Sequence, residues 1–221
     1  SPLFPLVALA KEKANADATP SIGDYAAAAR SLLKEHLTSH GAVLLRRLPL
    51  SSGEDFSTFV QALGWEALKL GGGGTQRTDV AKGVRTASDE PPEQTIEPHM
   101  DMAHSRVHPK RIAFFCLAGP PPGVGGETVL TDMRAVHRTL EGLGIPQMFA
   151  ARGGVAYQKQ LWSTDKVTHA YTWQTFFFTS DLHEAKRQVV ARDPNARVGD
   201  DGSISFSEVL PATPAHPITG E

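Results

Sequence analysis

The segment Pro98-His99-Met100-Asp101-Met102 places an imidazole and a carboxylate two residues apart. On a β-strand, side chains at positions i and i+2 point to the same face, so His99 and Asp101 would converge on one ligand. One histidine and one acid are two of the three ligands in the 2-His-1-carboxylate triad that holds non-haem Fe(II). The segment therefore predicts a metal site on a strand, with His99 and Asp101 as ligands.

The His-x-Asp pair has little specificity when it is taken alone. The chain has nine histidines and 24 acidic residues among 221, so about one such pair is expected by chance. The alternative is a histidine and an aspartate at a strand end, each hydrogen-bonded to its neighbours. The segments that follow the pair decide how much weight it carries.

Two features follow the pair at short distance along the chain. Residues 112–118 (IAFFCLA) form a continuous apolar run, which predicts a strand covered on both faces. Then comes Gly125-Gly126-Glu127-Thr128, in which the glycines allow the backbone close to a ligand and the Thr128 hydroxyl can donate to a carboxylate. The alternative for the two glycines is a plain hairpin turn.

The first part of the chain predicts a helix, a strand and a helix. Apolar residues at helical spacing predict a helix over residues 24–39 that ends at Gly41. A short buried strand is predicted at 42–45, and Ser52 is the predicted N-cap of a helix that closes at Gly64.

The later part of the chain predicts strands separated by turns, with two further helices. Helices are predicted at residues 132–140 and 181–192, the second with a capping box completed by Glu184. Strand composition marks residues 171–179, and Ile204 and Phe206 alternate as in a half-buried strand. Early helices and later strands together predict an α+β chain with a β-sandwich or barrel core.

In combination, four segments resemble the Fe(II)/2-oxoglutarate-dependent dioxygenases of the taurine dioxygenase and clavaminate synthase-like (TauD/TfdA-like) family. They are Gly-Ala-Val-Leu-Leu-Arg at 41–46, Pro98-His99-Met100-Asp101-Met102, Phe114-Phe115-Cys116 and Gly125-Gly126-Glu127-Thr128. The resemblance implies a double-stranded β-helix (jelly-roll) core with flanking helices, in a single domain over residues 1–221. That domain would consist of an N-terminal arm at 1–20, a helix-strand-helix lead-in at 21–70 and a jelly-roll part at 71–221.

The resemblance also implies a ligand set. His99 and Asp101 correspond to two iron ligands, and Thr128 corresponds to the residue that hydrogen-bonds 2-oxoglutarate, the cosubstrate. The family's second iron-binding histidine and its 2-oxoglutarate-binding arginine have no counterpart within residues 1–221, so the jelly roll is expected to be incomplete at the C-terminus. His216 is not accepted as the third ligand, because it lies in the proline-rich Pro214-Ala215-His216-Pro217 without strand character.

The activity implied by the resemblance is the oxidation of a small organic molecule with release of succinate and CO2. Related halogenases have a small residue where this chain has Asp101, so that a halide can bind the iron. A carboxylate at that position implies hydroxylation or desaturation instead.

Composition excludes several classes of partner. The net charge is −2 and the pI about 6.5, without the basic surplus of a nucleic-acid or anionic-membrane binder. No apolar run approaches the roughly 20 residues of a membrane span. The only cysteine, Cys116, excludes an intrachain disulfide and is compatible with a reducing compartment, although the sequence does not decide localisation.

Two alternatives remain open at this point. The first is a non-catalytic jelly-roll subunit for binding or structure, whose incomplete barrel would be covered by a partner chain or an oligomer. The second is a structural zinc site built from His99, Asp101, His104 and His108. The glycine run at Gly71-Gly72-Gly73-Gly74 is expected to be a flexible loop at the mouth of the site.

Overall fold

A computed structural model of the chain describes residues 3–11, 19–68, 77–91, 93–167 and 172–221. These residues form two compact units. The first unit draws on the ranges 1–67, 77–87 and 113–132, and the second on 68–76, 88–112 and 133–221. The glycine run at 71–74 lies outside the described residues.

The first unit contains the predicted helix-strand-helix lead-in. Helix α1 (Ile22–His40) begins at Ser21, whose side chain accepts from the Asp24 amide while the Asp24 carboxylate accepts from the Ser21 amide. This capping box satisfies two of the amides that a helix start leaves without partners. The helix ends at Gly41, which has a φ of 77° that a residue with a side chain rarely adopts.

Strand β2 (Val43–Arg46) follows α1 and pairs in parallel with β1 (Leu6–Leu9). Helix α2 (Gly53–Ala62) is capped by the Ser52 side chain, as predicted. Strands β3 (Asp79–Ala81) and β4 (Val84–Arg85) form a short antiparallel pair. The core of this unit lies between α1 and α2 and contains Ala26, Ala29, Phe59 and Leu63.

The second unit is organised around a three-stranded antiparallel sheet. Strands β5 (Val155–Leu161), β6 (Arg197–Val198) and β7 (Ile204–Leu210) are arranged in the order β5-β7-β6. Residues of β7 alternate between buried and less buried, so one face of the sheet is directed to the core. The alternation of Ile204 and Phe206 predicted this strand correctly.

The helices of the second unit are α3 (Met133–Gly142), α4 (Ile145–Ala150), α5 (Trp173–Phe177) and α6 (Leu182–Arg192). Helices α5 and α6 contribute to the core with the sheet; its buried residues are Leu161, Trp173, Phe177, Ala185, Val189, Ile204 and Phe206. Helices α3 and α6 confirm the predicted helices at 132–140 and 181–192.

The predicted capping box of α6 is wrong in one detail. Asp181 does cap the helix, because its carboxylate accepts from the His183 amide at 2.8 Å. The Glu184 carboxylate, however, accepts from Arg187 and from Gln188, which lie one turn further along the helix. Pairs at i,i+3 and i,i+4 on the helix surface take the side chain that the capping box would have used.

The strand predicted at 171–179 is also wrong. Within its described part, residues 173–177 form helix α5, whose start is fixed by a reciprocal cap between Thr172 and Thr175. The aromatic residues that gave the segment its strand composition fill the core from this short helix, since Trp173 and Phe177 are buried. Local capping and burial outweigh β-propensity, which mainly reflects a fit to a half-buried surface.

The strand predicted at 112–118 is absent. No strand is assigned to these residues, and no described residue pairs with them in a ladder. Ile112, Phe114 and Leu117 are each at least half exposed, whereas Phe115 stacks on Phe56 with ring centroids 5.1 Å apart. A strand exists only where a neighbour accepts its hydrogen bonds, and apolar composition alone does not supply one.

The α+β class is confirmed. The described strands form two two-stranded sheets and one three-stranded sheet, which do not by themselves make a jelly roll. None of the helices in the described ranges has the length and apolar character needed to cross a membrane.

Candidate metal centre

The backbone around the His-x-Asp pair is irregular. Residues 95–100 form no strand and a turn occupies 101–104, so the predicted strand at the pair is wrong. Met102 has a φ of 58°, in the left-handed region, and the Ser105 amide donates to the Met102 carbonyl at 2.9 Å. The chain therefore reverses immediately after Asp101, which prevents an extended ladder there.

The two predicted ligands nevertheless lie close together. His99 Nε2 lies 3.7 Å from Asp101 Oδ1, and the side chains are 60% and 30% exposed. Strand alternation predicted that these two side chains converge, and they do so on irregular backbone instead.

A backbone contact orients the His99 ring. Its Nδ1 lies 2.7 Å from the carbonyl oxygen of Glu97, an acceptor, so Nδ1 carries a proton in that contact. In the neutral ring, Nε2 then presents its lone pair, and Nε2 is the ring nitrogen that lies near the Asp101 carboxylate. A backbone carbonyl at one ring nitrogen is the usual arrangement for a histidine that binds metal through the other.

The donor set fits Fe(II). An imidazole nitrogen and a carboxylate oxygen 3.7 Å apart can both reach one ion, since bonds from such ligands to a divalent metal are about 2.0–2.2 Å long. Among the described residues, no third His, Cys, Asp or Glu side chain joins the pair. The described residues thus offer two of the three donor types that make up the facial triad.

The structural zinc alternative is not supported, because it requires His104 or His108 beside the pair. No group of three metal-binding side chains occurs in the part of the chain that the structure describes. His104 instead lies against Tyr157, with ring centroids 6.5 Å apart. Burial and the nearby Lys159 ammonium lower the pKa of His104, against an opposite influence of Glu208.

Thr128, the predicted 2-oxoglutarate contact, belongs to the first compact unit, whereas His99 and Asp101 belong to the second. Its side chain is exposed. Gly125 and Gly126 have φ angles of 89° and 90°, so this stretch needs glycine for its backbone conformation. Since no strand flanks the two glycines, they are not a plain hairpin turn.

A buried charge cluster in the second unit was not predicted. Glu208 on β7 is 1% exposed, and its carboxylate pairs with Lys159 on β5, which is 10% exposed. Glu208 Oε1 lies 3.5 Å from Arg106 Nε and 3.7 Å from Arg192 Nη1, but it is buried and accepts no hydrogen bond. We name Lys159, Glu208, Arg106 and Arg192 the Glu208 cluster.

A sequence signal for this cluster exists. In β7, Glu208 lies between Phe206 and Leu210 at the alternate positions that face the core, so a charge interrupts an apolar face. In β5, Lys159 has the same relation to Tyr157 and Leu161. Two opposite charges on the inward faces of two strands predict that the strands are neighbours, because buried charges are almost always paired.

Comparison with known proteins identifies the family. Residues 5–211 match the family described as "Taurine catabolism dioxygenase TauD, TfdA family", and the chain belongs to that family. The dioxygenase class suggested by the motifs is therefore confirmed at the level of the family.

Two curated proteins are similar to this chain. A clavaminate synthase-like protein of Arabidopsis thaliana is 32% identical over 171 residues, which are 75% of this chain and 51% of the relative. The dapdiamide synthesis protein DdaC of Enterobacter agglomerans is 26% identical over 186 residues, 84% of this chain and 54% of the relative. The chain spans about half the length of each of these relatives.

Proposed function

We propose that this chain is part of an Fe(II)- and 2-oxoglutarate-dependent oxygenase that hydroxylates or desaturates a small organic molecule and releases succinate and CO2. The observation that carries the proposal is the 3.7 Å approach of His99 Nε2 to Asp101 Oδ1. It occurs in a chain that belongs to a dioxygenase family.

The roles of the residues follow from their chemistry. His99 binds the metal through Nε2, because its Nδ1 is engaged by the Glu97 carbonyl. Asp101 supplies an anionic oxygen that compensates the charge of a divalent cation. When bound, Fe(II) with 2-oxoglutarate and oxygen supplies the oxidising power that removes hydrogen from a substrate C–H bond.

Asp101 also bears on the type of reaction. Its carboxylate occupies a coordination position that a halide would need, which favours hydroxylation or desaturation over halogenation. Thr128 is proposed to donate its hydroxyl hydrogen to a carboxylate of 2-oxoglutarate, and its exposed side chain is available for this contact.

The proposal extends to the fold and the partners of the whole protein. We propose a jelly-roll core within a single taurine dioxygenase-like domain, and a small-molecule substrate rather than a nucleic acid or a membrane. The exposed apolar side chains of residues 112–118 are proposed to be covered by further polypeptide, from a partner chain, an oligomer or the same chain.

Formation of succinate tests the function. The full-length protein is incubated with Fe(II), 2-oxoglutarate and oxygen, and succinate is measured for the wild type, His99→Ala and a matched control, His108→Ala. His108 is an exposed histidine that is not one of the two proposed metal ligands, so its variant should retain the wild-type rate. The rate of His99→Ala should fall to the level without enzyme.

Equal succinate formation by the wild type and His99→Ala would contradict the assignment. A wild type that binds neither Fe(II) nor 2-oxoglutarate would favour the non-catalytic subunit instead. Calorimetric titration of 2-oxoglutarate in the presence of Fe(II) without oxygen separates these cases. In that titration, Thr128→Ala should weaken 2-oxoglutarate binding without weakening the binding of Fe(II).

A further inference from the structure

The Glu208 cluster is linked to the segment that follows His99 and Asp101. Lys159 Nζ donates to the carbonyl oxygen of His104 at 2.9 Å and also to the Glu208 carboxylate. Arg106 Nε lies 3.5 Å from the same carboxylate. Strands β5 and β7 thus hold the chain at residues 104 and 106. The first of these positions is three residues after Asp101.

The remaining contacts keep Lys159 and Glu208 in place. The Lys159 ammonium lies 5.7 Å from the ring centroid of Phe176 and 5.4 Å from that of Phe206, within the range of cation–π attraction. Arg192, the fourth member of the cluster, lies over Phe176 at 5.3 Å. The two strands fix the backbone of the pair, since β5 and β7 are hydrogen-bonded over seven residues each.

A gain in folding stability does not by itself explain why Lys159 and Glu208 are buried as an ion pair. A buried ion pair costs desolvation free energy, and well-packed apolar residues of similar volume often stabilise a fold equally well or better. A lysine that donates to a backbone carbonyl does something that an apolar residue cannot. It fixes the backbone at His104, in a segment that forms neither helix nor strand.

We propose that Lys159 and Glu208 are positioning residues for the metal centre. Through the His104 carbonyl and Arg106, they hold the turn at 101–104, whose first residue is Asp101, and so keep Asp101 beside His99. This inference rests on the proposed function, because the consequence of positioning is a higher affinity for the metal ion.

The test uses a double variant that removes both charges without leaving either one unpaired. In the full-length protein, Lys159→Met with Glu208→Leu keeps the side-chain volume but cannot donate to His104. Lys159→Arg keeps a cationic hydrogen-bond donor at this position. It serves as the conservative variant, which should behave like the wild type. The control is Glu184→Gln with Arg187→Met, which removes an exposed ion pair on α6 of the same unit.

Two measurements are made on each protein. Hydrogen exchange of the amides at 99–106 reports the order of the turn without any metal. Titration with Co(II), a spectroscopically visible substitute for Fe(II), reports metal affinity and the coordination spectrum. The double variant should fold, exchange faster at 99–106 and bind Co(II) about tenfold more weakly, the lower end of the range for residues behind metal ligands.

Wild-type exchange at 99–106 in the folded double variant would overturn the inference, as would unchanged Co(II) affinity. The inference is supported if the double variant loses both the slow exchange at 99–106 and the Co(II) affinity, while Lys159→Arg and the control keep both at the wild-type level. The proposed function fails separately, if the wild type and His99→Ala bind Co(II) equally. In that case hydrogen exchange still decides whether the pair orders the turn.

Discussion

Replacing Glu208 with glutamine tests the energetics of the Glu208 cluster. The change keeps the shape of the side chain but removes the negative charge that faces Lys159, Arg106 and Arg192. Arg106 and Arg192 are 59% and 39% exposed, so water compensates them. Lys159 is 10% exposed and would keep its positive charge with its counter-ion gone.

The size of the effect follows from this burial. Removing one partner of a buried ion pair costs about 3–5 kcal/mol of folding free energy, because the remaining charge is uncompensated. For a chain of this size, each kcal/mol lowers the melting temperature by roughly 2–4 °C, so Glu208→Gln should melt roughly 6–20 °C below the wild type. The double variant Lys159→Met with Glu208→Leu should melt close to the wild type, since it leaves no buried charge.

Thermal unfolding followed by circular dichroism measures these differences, with Glu184→Gln as the matched control. Glu184 pairs with Arg187 at the surface, and its replacement should not measurably change the melting temperature. The deficit of Glu208→Gln should also persist at high salt, because buried charges are screened far less than exposed ones. A melting temperature within the error of the wild type, or a deficit that salt removes, would refute this account of the cluster.

Two further predictions concern a backbone position and the dependence of stability on pH. Gly154→Ala should be strongly destabilising, because residue 154 has a φ of 114° and an added Cβ would overlap the carbonyl oxygen of Leu210. The matched control is Gly153→Ala, which also has a positive φ, of 85°, but has open space around it and should be milder. Urea denaturation that finds the two variants equally stable would contradict the close approach of these backbones. The pKa of His104 lies below its ordinary 6.5, owing to burial and Lys159, so the unfolded chain takes up the proton first as the pH falls. The contribution of His104 to the free energy of unfolding is therefore complete above about pH 6.5 and declines below it. Glutamine does not titrate, so His104→Gln should lose less stability than the wild type between about pH 7 and pH 5.5. Identical losses in urea denaturation at the two pH values would exclude His104 as the source.

The parts of the fold that were predictable are those fixed by local chemistry. Helix α1 has a capping box at Ser21 and a glycine at 41, and both signals depend on residues close in sequence. The same holds for α2 after Ser52. The alternation in β7 was also readable, because the periodicity of a half-buried strand is written in its own residues.

The parts that were not predictable depend on partners distant in sequence. Residues 112–118 have the composition of a buried strand, but a ladder requires a neighbour that composition does not specify. The segment before α6 is aromatic and β-branched, yet the Thr172–Thr175 cap makes its described part a helix. At the candidate metal centre, the choice of His99 and Asp101 as candidate ligands came from residue chemistry, whereas the turn that begins at Asp101 could not be foreseen.

The Glu208 cluster shows an intermediate case. A charge at an inward position of each strand was visible in the sequence, but the register that places Lys159 opposite Phe206, and Tyr157 opposite Glu208, was not. That register puts the two charges on a diagonal of neighbouring strands, within reach of long side chains. The contact to the His104 carbonyl then follows from the tertiary fold alone.

The assignment of His99 and Asp101 as metal ligands is tested by titrating the full-length protein with Fe(II) in the absence of oxygen, for the wild type, His99→Ala and Asp101→Ala. One Fe(II) should bind per wild-type chain, with at least a tenfold weaker affinity in each of these two variants and an unchanged affinity in His108→Ala. Equal affinities in all four proteins would contradict the assignment, because His99 and Asp101 would then not be ligands of the metal.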